Sequence, residues 1–210
     1  MNNKAEVREW EDKWVNNLHT DNINWGKIWQ NQNNHIHNPR TKSALWEMIH
    51  LNFWSGFKAG ERCHLCNVVE DDSFHIINKC SILMEVMRTF QLQDKYNNNL
   101  TISFGLDNDH ITNFIFFHIK TVVFRSRFQY FSSKELCRTI LIRKCKNRIK
   151  KDLQKRFYIY KLKDKVDDFT QTFIHYNRNT SDNDINNINN NNNNKPSLPG
   201  PRLSIFLYLC

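Results

Sequence analysis

Apolar residues recur along this chain at helical spacing from its first turns. Val7, Trp10, Trp14 and Leu18 fall three and four apart, which places them on one face of an amphipathic helix. Trp25, Ile28 and Trp29 mark a second, shorter helix. Pro39 then breaks the chain, Thr41 stands in an N-cap-like position, and Leu45, Trp46, Ile49 and Phe53 share neighbouring faces of a third. These tryptophans read as core. Gly56 and Gly60 bracket a turn, and Ile82, Leu83, Val86, Met87 and Phe90 later resume the helical pattern.

The stretch Leu100 to Phe104 is the one place where the pattern admits a short strand, although nothing nearby offers it a partner. Asp109 reads as an N-cap. Ile111 to Phe131 is rich in Phe and β-branched residues, but its length and lack of interior Gly or Pro predict a helix. From Ser132 to Tyr160, Leu136, Ile140, Cys145, Ile149, Leu153 and Phe157 recur mostly every four residues beside a basic face, the mark of a long amphipathic helix. After Tyr176 the chain turns to Asn, unbroken over Asn189 to Asn194, a composition too polar to bury a core, so this tail is expected to be disordered. The expected fold is all-α with at most that minor strand.

Composition narrows the class. Six Trp and 15 Phe stand against only 5 Gly and 4 Pro, which disfavours turn-dense sandwiches and Gly-rich phosphate loops. No apolar run approaches the roughly 18 residues of a membrane span, and no secretory leader pattern opens the chain. The final Leu203 to Cys210 is too short to cross a bilayer, and its terminal Cys makes no prenylation box. An intracellular protein of cytoplasm or nucleus is expected. The net charge of +9 is concentrated: Lys134 to Lys165 holds 13 Lys or Arg against Glu135, Asp152 and Asp164, a net of +10 that leaves the rest near −1.

In a reducing compartment six cysteines point to metal rather than to disulfides when they cluster. Cys63 and Cys66 have the two-residue gap that lets two thiolates take adjacent corners of a tetrahedron from one tight turn. His75 and Cys80 follow at a spacing able to supply the other two from the start of a helix. Four such ligands select Zn²⁺ and leave no position open for water, so the expected site is structural. His64 competes with His75, but its place between the two cysteines would strain a chelate. Cys137, Cys145 and Cys210 lie outside the cluster.

The run Trp46-Glu47-Met48-Ile49-His50, then Gly60-Glu61-Arg62-Cys63-His64-Leu65-Cys66, then Glu70-Asp71-Asp72-Ser73-Phe74-His75 and Cys80, resembles the zinc-binding region downstream of the reverse transcriptase domain in non-LTR (LINE-type) retrotransposon proteins. The resemblance extends from about Trp25 to about Phe157, with Trp25-Gly26-Lys27-Ile28-Trp29 similar to an upstream aromatic motif. Lys120 to Arg127 is similar to an aromatic-basic helix that follows the knuckle. It implies a helical domain that assists binding of RNA or target DNA, with parent retrotransposon proteins as partners. On that reading the organisation is an N-terminal helix over 1–24, the zinc-binding domain over 25–131, a basic helix over 132–176 and the Asn-rich tail over 177–210. Palm carboxylates are missing before Trp25, and Asp167 and Asp168 lie at the wrong end of the chain and read as a solvated pair ending the basic helix. The chain is thus expected to be a truncated copy and no enzyme.

Arg143, Lys144, Lys146, Arg148, Lys150, Lys151, Lys155 and Arg156 form a dense positive surface suited to phosphates. Arg125 and Arg127, interleaved with Phe124, Phe128 and Tyr130, add stacking groups for single strands. The competing reading is a zinc-stabilised module whose Leu136 to Phe157 face docks on a protein or an anionic surface.

Overall fold

The computed structural model describes residues 3–34, 37–50, 62–68, 74–96, 98–106 and 109–173. Among them every element is helical: α1 (Asn3–Leu18), α2 (Trp25–Gln32), α3 (Pro39–Ile49), a π-helical turn (His75–Lys79), α4 (Ser81–Thr89), α5 (Asn99–Phe104), α6 (His110–Arg125), α7 (Lys134–Leu162) and α8 (Val166–Phe173). None of these is long and apolar enough to cross a membrane. Phe53, Gly56, Gly60 and the Asn-rich tail lie outside the described residues. The chain divides into two compact units between Cys145 and Lys146, within α7.

Helix α6 is the axis of the first unit. Every residue from Ile111 to Phe124 is buried, so the helix has no solvent face and must be enclosed by neighbours, α3 and α4 foremost. Its polar side chains are therefore answered locally. Asn113 joins the Tyr96 hydroxyl and both backbone groups of Leu106, Thr121 donates to the Phe117 carbonyl, and Thr41 meets the His118 ring at 3.2 Å. Asp109 caps the start by accepting from Thr112 N–H. The end comes at Arg125 rather than at Phe131, because the Arg127 guanidinium turns back and donates to the Phe124 carbonyl in the last turn.

The tryptophans read as core differ in depth: Trp10 and Trp14 are buried, Trp25 and Trp29 half-buried, and Trp46 exposed. Trp10, Trp14 and Leu18 are buried on one face of α1, and Trp14 donates its indole N–H to the Ile49 carbonyl at 2.6 Å while packing on Phe74 and Phe104. Trp46, by contrast, is 46% exposed. Nor is Thr41 the N-cap of α3. Asn38 accepts the Thr41 N–H at 2.9 Å, Pro39 occupies the first turn, and the Thr41 side chain is buried against His118.

Leu100 to Phe104 is helical, not a strand. Its alternation is outweighed by capping: Asn98 accepts from Thr101 N–H at the start, and the Lys120 ammonium donates to the Ile102 and Ser103 carbonyls at the end. Burial without an acid partner pushes the Lys120 pKa well below its ordinary value. The turn that follows needs Gly105 at φ 92°, where an added Cβ would stand 2.7 Å from Asn113 Oδ1 and 2.8 Å from the Phe117 ring.

Helix α7 buries Cys137, Leu141, Cys145, Ile149 and Leu153, four residues apart throughout. At 3.6 residues per turn each step of four advances the stripe by about 40° around the helix. The expected face is thus one residue out of phase at its beginning, where Leu136 is exposed and Ile140 only half-buried, and at its far end Phe157 is exposed as well. In the second unit Phe169 and Phe173 of α8 are buried, Phe169 meeting Phe157 and Tyr160 edge-on. Asp167 and Asp168 belong to the first turn of α8, where carboxylates favour the positive helix end, and do not end the basic helix.

Gly105→Ala tests the α5–α6 turn. Strain at positive φ together with two sub-van-der-Waals contacts should lower unfolding stability by about 3 kcal/mol. A urea midpoint equal to that of the parent protein would contradict this account.

Candidate metal centre

The two halves of the centre are built differently. In the first, the Cys63 N–H donates to the Val68 carbonyl at 3.0 Å and the Asn67 N–H to the Cys63 carbonyl at 2.7 Å, folding the chain tightly over both cysteines. The turn needs a left-handed residue, and Asn67 supplies it at φ 61°. Cys63, Leu65 and Cys66 point inward and are buried, while His64 is exposed and stays out of the cluster.

The second half rests on the π turn. Residues five apart in an α-helix differ by about 140° in direction. Here the Cys80 N–H donates to the His75 carbonyl at 2.7 Å, closing the wider i→i+5 ring and returning the two side chains to one side. Phe74, Ile76 and Ile77 anchor the turn in the core, and Asn78 Oδ1 accepts from Ser103 of α5 at 3.1 Å. Cys80 then leaves the turn in extended conformation and opens α4.

Together these elements bring Cys63, Cys66, His75 and Cys80 into one buried group whose donor atoms all lie within 4.8 Å of one another. Cys66 Sγ and His75 Nε2 are 3.1 Å apart. Four donors about 2.0–2.3 Å from a common tetrahedral centre stand roughly 3.5–3.8 Å from each other. The group is thus near coordination size, and it can hold a metal ion.

The proton balance of the cluster points the same way. Hydrogen bonds to Cys63 and then Cys66 push the His75 imidazole up to about 10, so it carries a positive charge amid the sulfurs. Hydrogen bonding from Cys63 and Cys80 drops the Cys66 thiol well below its ordinary value, and bonding to Cys63 and Cys66 lifts Cys80 far above it. One thiolate and one imidazolium side by side mark a place where a cation is favoured, and a bound metal ion takes over that part from the proton. Cys137 of α7 is held up to about 11, first by burial and then by its sulfur neighbours, and it lies outside the quartet.

The basic residues are placed less uniformly. Arg143, Lys146, Lys151 and Lys155 stand exposed on α7, whereas Arg148, Lys150 and Arg156 are half-buried, Arg156 pairing with Asp152 at 3.1 Å. Lys144 donates to Gln129. Arg125 binds Glu47 of α3 at 2.7 Å with half its side chain in solvent. Arg127 is buried, its guanidinium lying 4.0 Å from the Phe124 ring centroid and 4.1 Å from that of Phe128. It therefore serves packing and capping, not solvent-borne ligands. Glu47 was absent from the sequence-based site, since an ion pair across 78 positions leaves no local pattern.

A scan against protein-family models and searches of curated proteins and of solved structures find no match to this chain. What defines it is its own structure: an all-helical protein, among its described residues, with a buried Cys3His group able to hold a metal ion.

The purified protein should carry one metal ion per chain by mass spectrometry of the native state. Cys66→Ser should lose the ion and melt at least 10 °C lower, because in such centres binding free energy is folding free energy. Full metal content in the serine variant would remove Cys66 from the ligand set.

Proposed function

We propose that the quartet holds a structural Zn²⁺ and that the helical body it braces binds RNA or DNA without catalysing a reaction. Soft thiolates with one imidazole are the donor set for zinc, and a closed Cys3His set has no coordination position left for water or substrate. The observation that carries the nucleic-acid part is the set of exposed cations on α7, Lys146, Lys151 and Lys155 in the second unit and Arg143 in the first. Exposed cations neutralise phosphates and release counterions, which yields affinity independent of sequence. Phe128 and Tyr130, half and largely exposed in the turn after α6, supply aromatic surface for unpaired bases. The resemblance to the zinc-binding region of non-LTR retrotransposon proteins supports the same reading and proposes those proteins as parents. Reduced thiols in the quartet accord with an intracellular setting.

A second reading draws on the last turns of α7, where Tyr158, Ile159 and Leu162 are exposed. An apolar set of this kind suits docking on a protein or an anionic surface, with affinity that persists at high salt.

The two readings part under salt. Replacing Arg143, Lys146, Lys151 and Lys155 by Gln should weaken binding to single-stranded RNA and DNA across sequences and reduce the salt slope by about three, at roughly 0.7 per lost phosphate contact. Fluorescence anisotropy at several salt concentrations measures this, with circular dichroism confirming that the buried stripe still holds the helix. A folded variant with unchanged affinity and slope would favour the docking reading.

A further inference from the structure

Trp46 is a large aromatic ring left nearly half in solvent, although it belongs to a helix that buries Ala44, Leu45, Met48 and Ile49 around it. Simple exposure of a lone side chain would call for no explanation. This one is held in place. Its indole lies on the His50 ring with centroids 4.0 Å apart and planes within 29°. His50 is fixed in turn by its Nδ1 against the Trp46 carbonyl at 2.9 Å, which makes Nδ1 the protonated nitrogen, and by Trp10 and Trp29 at centroid distances of 4.8 and 5.4 Å. Trp25 closes on Trp10 from behind at 4.8 Å. Two indoles, Trp10 and Trp29, thus back one imidazole, Trp25 backs Trp10, and the imidazole backs Trp46.

The result is a flat, pre-ordered π surface that loses little conformational entropy when something planar lies on it. Its charge surroundings select the guest. The acidic neighbour on the helix, Glu47, is already matched by Arg125, whose guanidinium is half exposed and has N–H groups beyond those the carboxylate uses. Arg40 is exposed on the same helix. A planar ring accompanied by phosphate is what such a surface recognises, and with exposed arginines on this helix and on its ion-pair partner that guest is a base of a single strand.

We infer that Trp46, stacked on His50, is a nucleobase-binding platform for single-stranded RNA or DNA, with Arg125 placed for the adjoining phosphate. The inference rests on the nucleic-acid reading above but names a contact on α3, separate from the cations of α7. It also assigns a ligand type: an unpaired base, since a base inside a duplex offers no free face.

The test uses the full zinc-loaded chain, a labelled 12-nucleotide oligouridylate and a duplex of equal length. Trp46→Ala should weaken oligouridylate binding at least about fivefold, the low end expected for one stacked base, with its salt slope unchanged and duplex binding unaltered. Trp46→Phe should recover most of the affinity. Arg125→Gln should instead lower the slope by about 0.7. Because Trp46 is half exposed, equal melting temperatures should confirm that each variant is folded. If Trp46→Ala binds oligouridylate as the parent does while the α7 Gln variant is weakened, the platform is overturned and the nucleic-acid reading stands. If the parent chain binds neither probe, both fall. If Trp46→Ala loses affinity equally for the duplex, or changes the oligomeric state by sedimentation, base stacking is overturned in favour of a surface or protein contact.

Discussion

Three sulfurs gathered with an imidazole within 4.8 Å repel one another whenever more than one of them is a thiolate, so a set of thiolates here requires a positive charge among them. In the protein alone a proton on His75 provides part of that charge. A divalent metal ion provides it more fully and directs the four donors at the same time. This requirement decides how the surrounding helices are joined. The knuckle at Cys63–Cys66 has only a short turn of its own, whereas α4, which begins on Cys80, is also anchored by its buried Ile82, Leu83, Val86 and Met87.

The second organising element is α6, buried on every side. Enclosing such a helix needs several partners, α3 and α4 foremost, and other elements of the unit are short: α2, α5 and the π turn have eight residues or fewer. Short helices contribute little stability by themselves. They hold because their ends are answered by specific side chains, Asn24, Asn38, Asn98 and Asp109 at N-termini and Lys120 at the end of α5. The abundance of Asn in this chain thus has a structural use well before the polar tail begins.

Much of this was legible in the sequence. The quartet could be read because metal geometry imposes its spacing directly on the chain, and the choice of His75 over His64 followed from what a two-residue turn can reach. The buried stripe of α7 was harder. Leu136, Ile140, Leu141 and Ile142 are all apolar, so the composition permits two adjacent faces, and only packing selects Cys137 and Leu141. Thr41 looked like a cap because Thr often is one, yet Asn38 three residues earlier competes better. Leu100 to Phe104 showed strand alternation, but the residue that holds its helical end, Lys120, lies well along the chain. Arg127 resembled its basic neighbours, and its burial between two phenyl rings is a tertiary fact. Pattern reveals what local geometry enforces, and it is silent about what distant partners decide.

The π turn also does something to the arithmetic of the chain. Cys80 is both the last residue of the quartet and the residue from which α4 starts, and the apolar positions Ile82, Leu83, Val86 and Met87 are counted from it. One residue removed between His75 and Cys80 would tighten the ring to α-helical pitch, so either the ligand or the four apolar side chains would keep their place, not both. The chain here is locked in length as well as in composition. A single-codon deletion here sets the quartet and the core against each other.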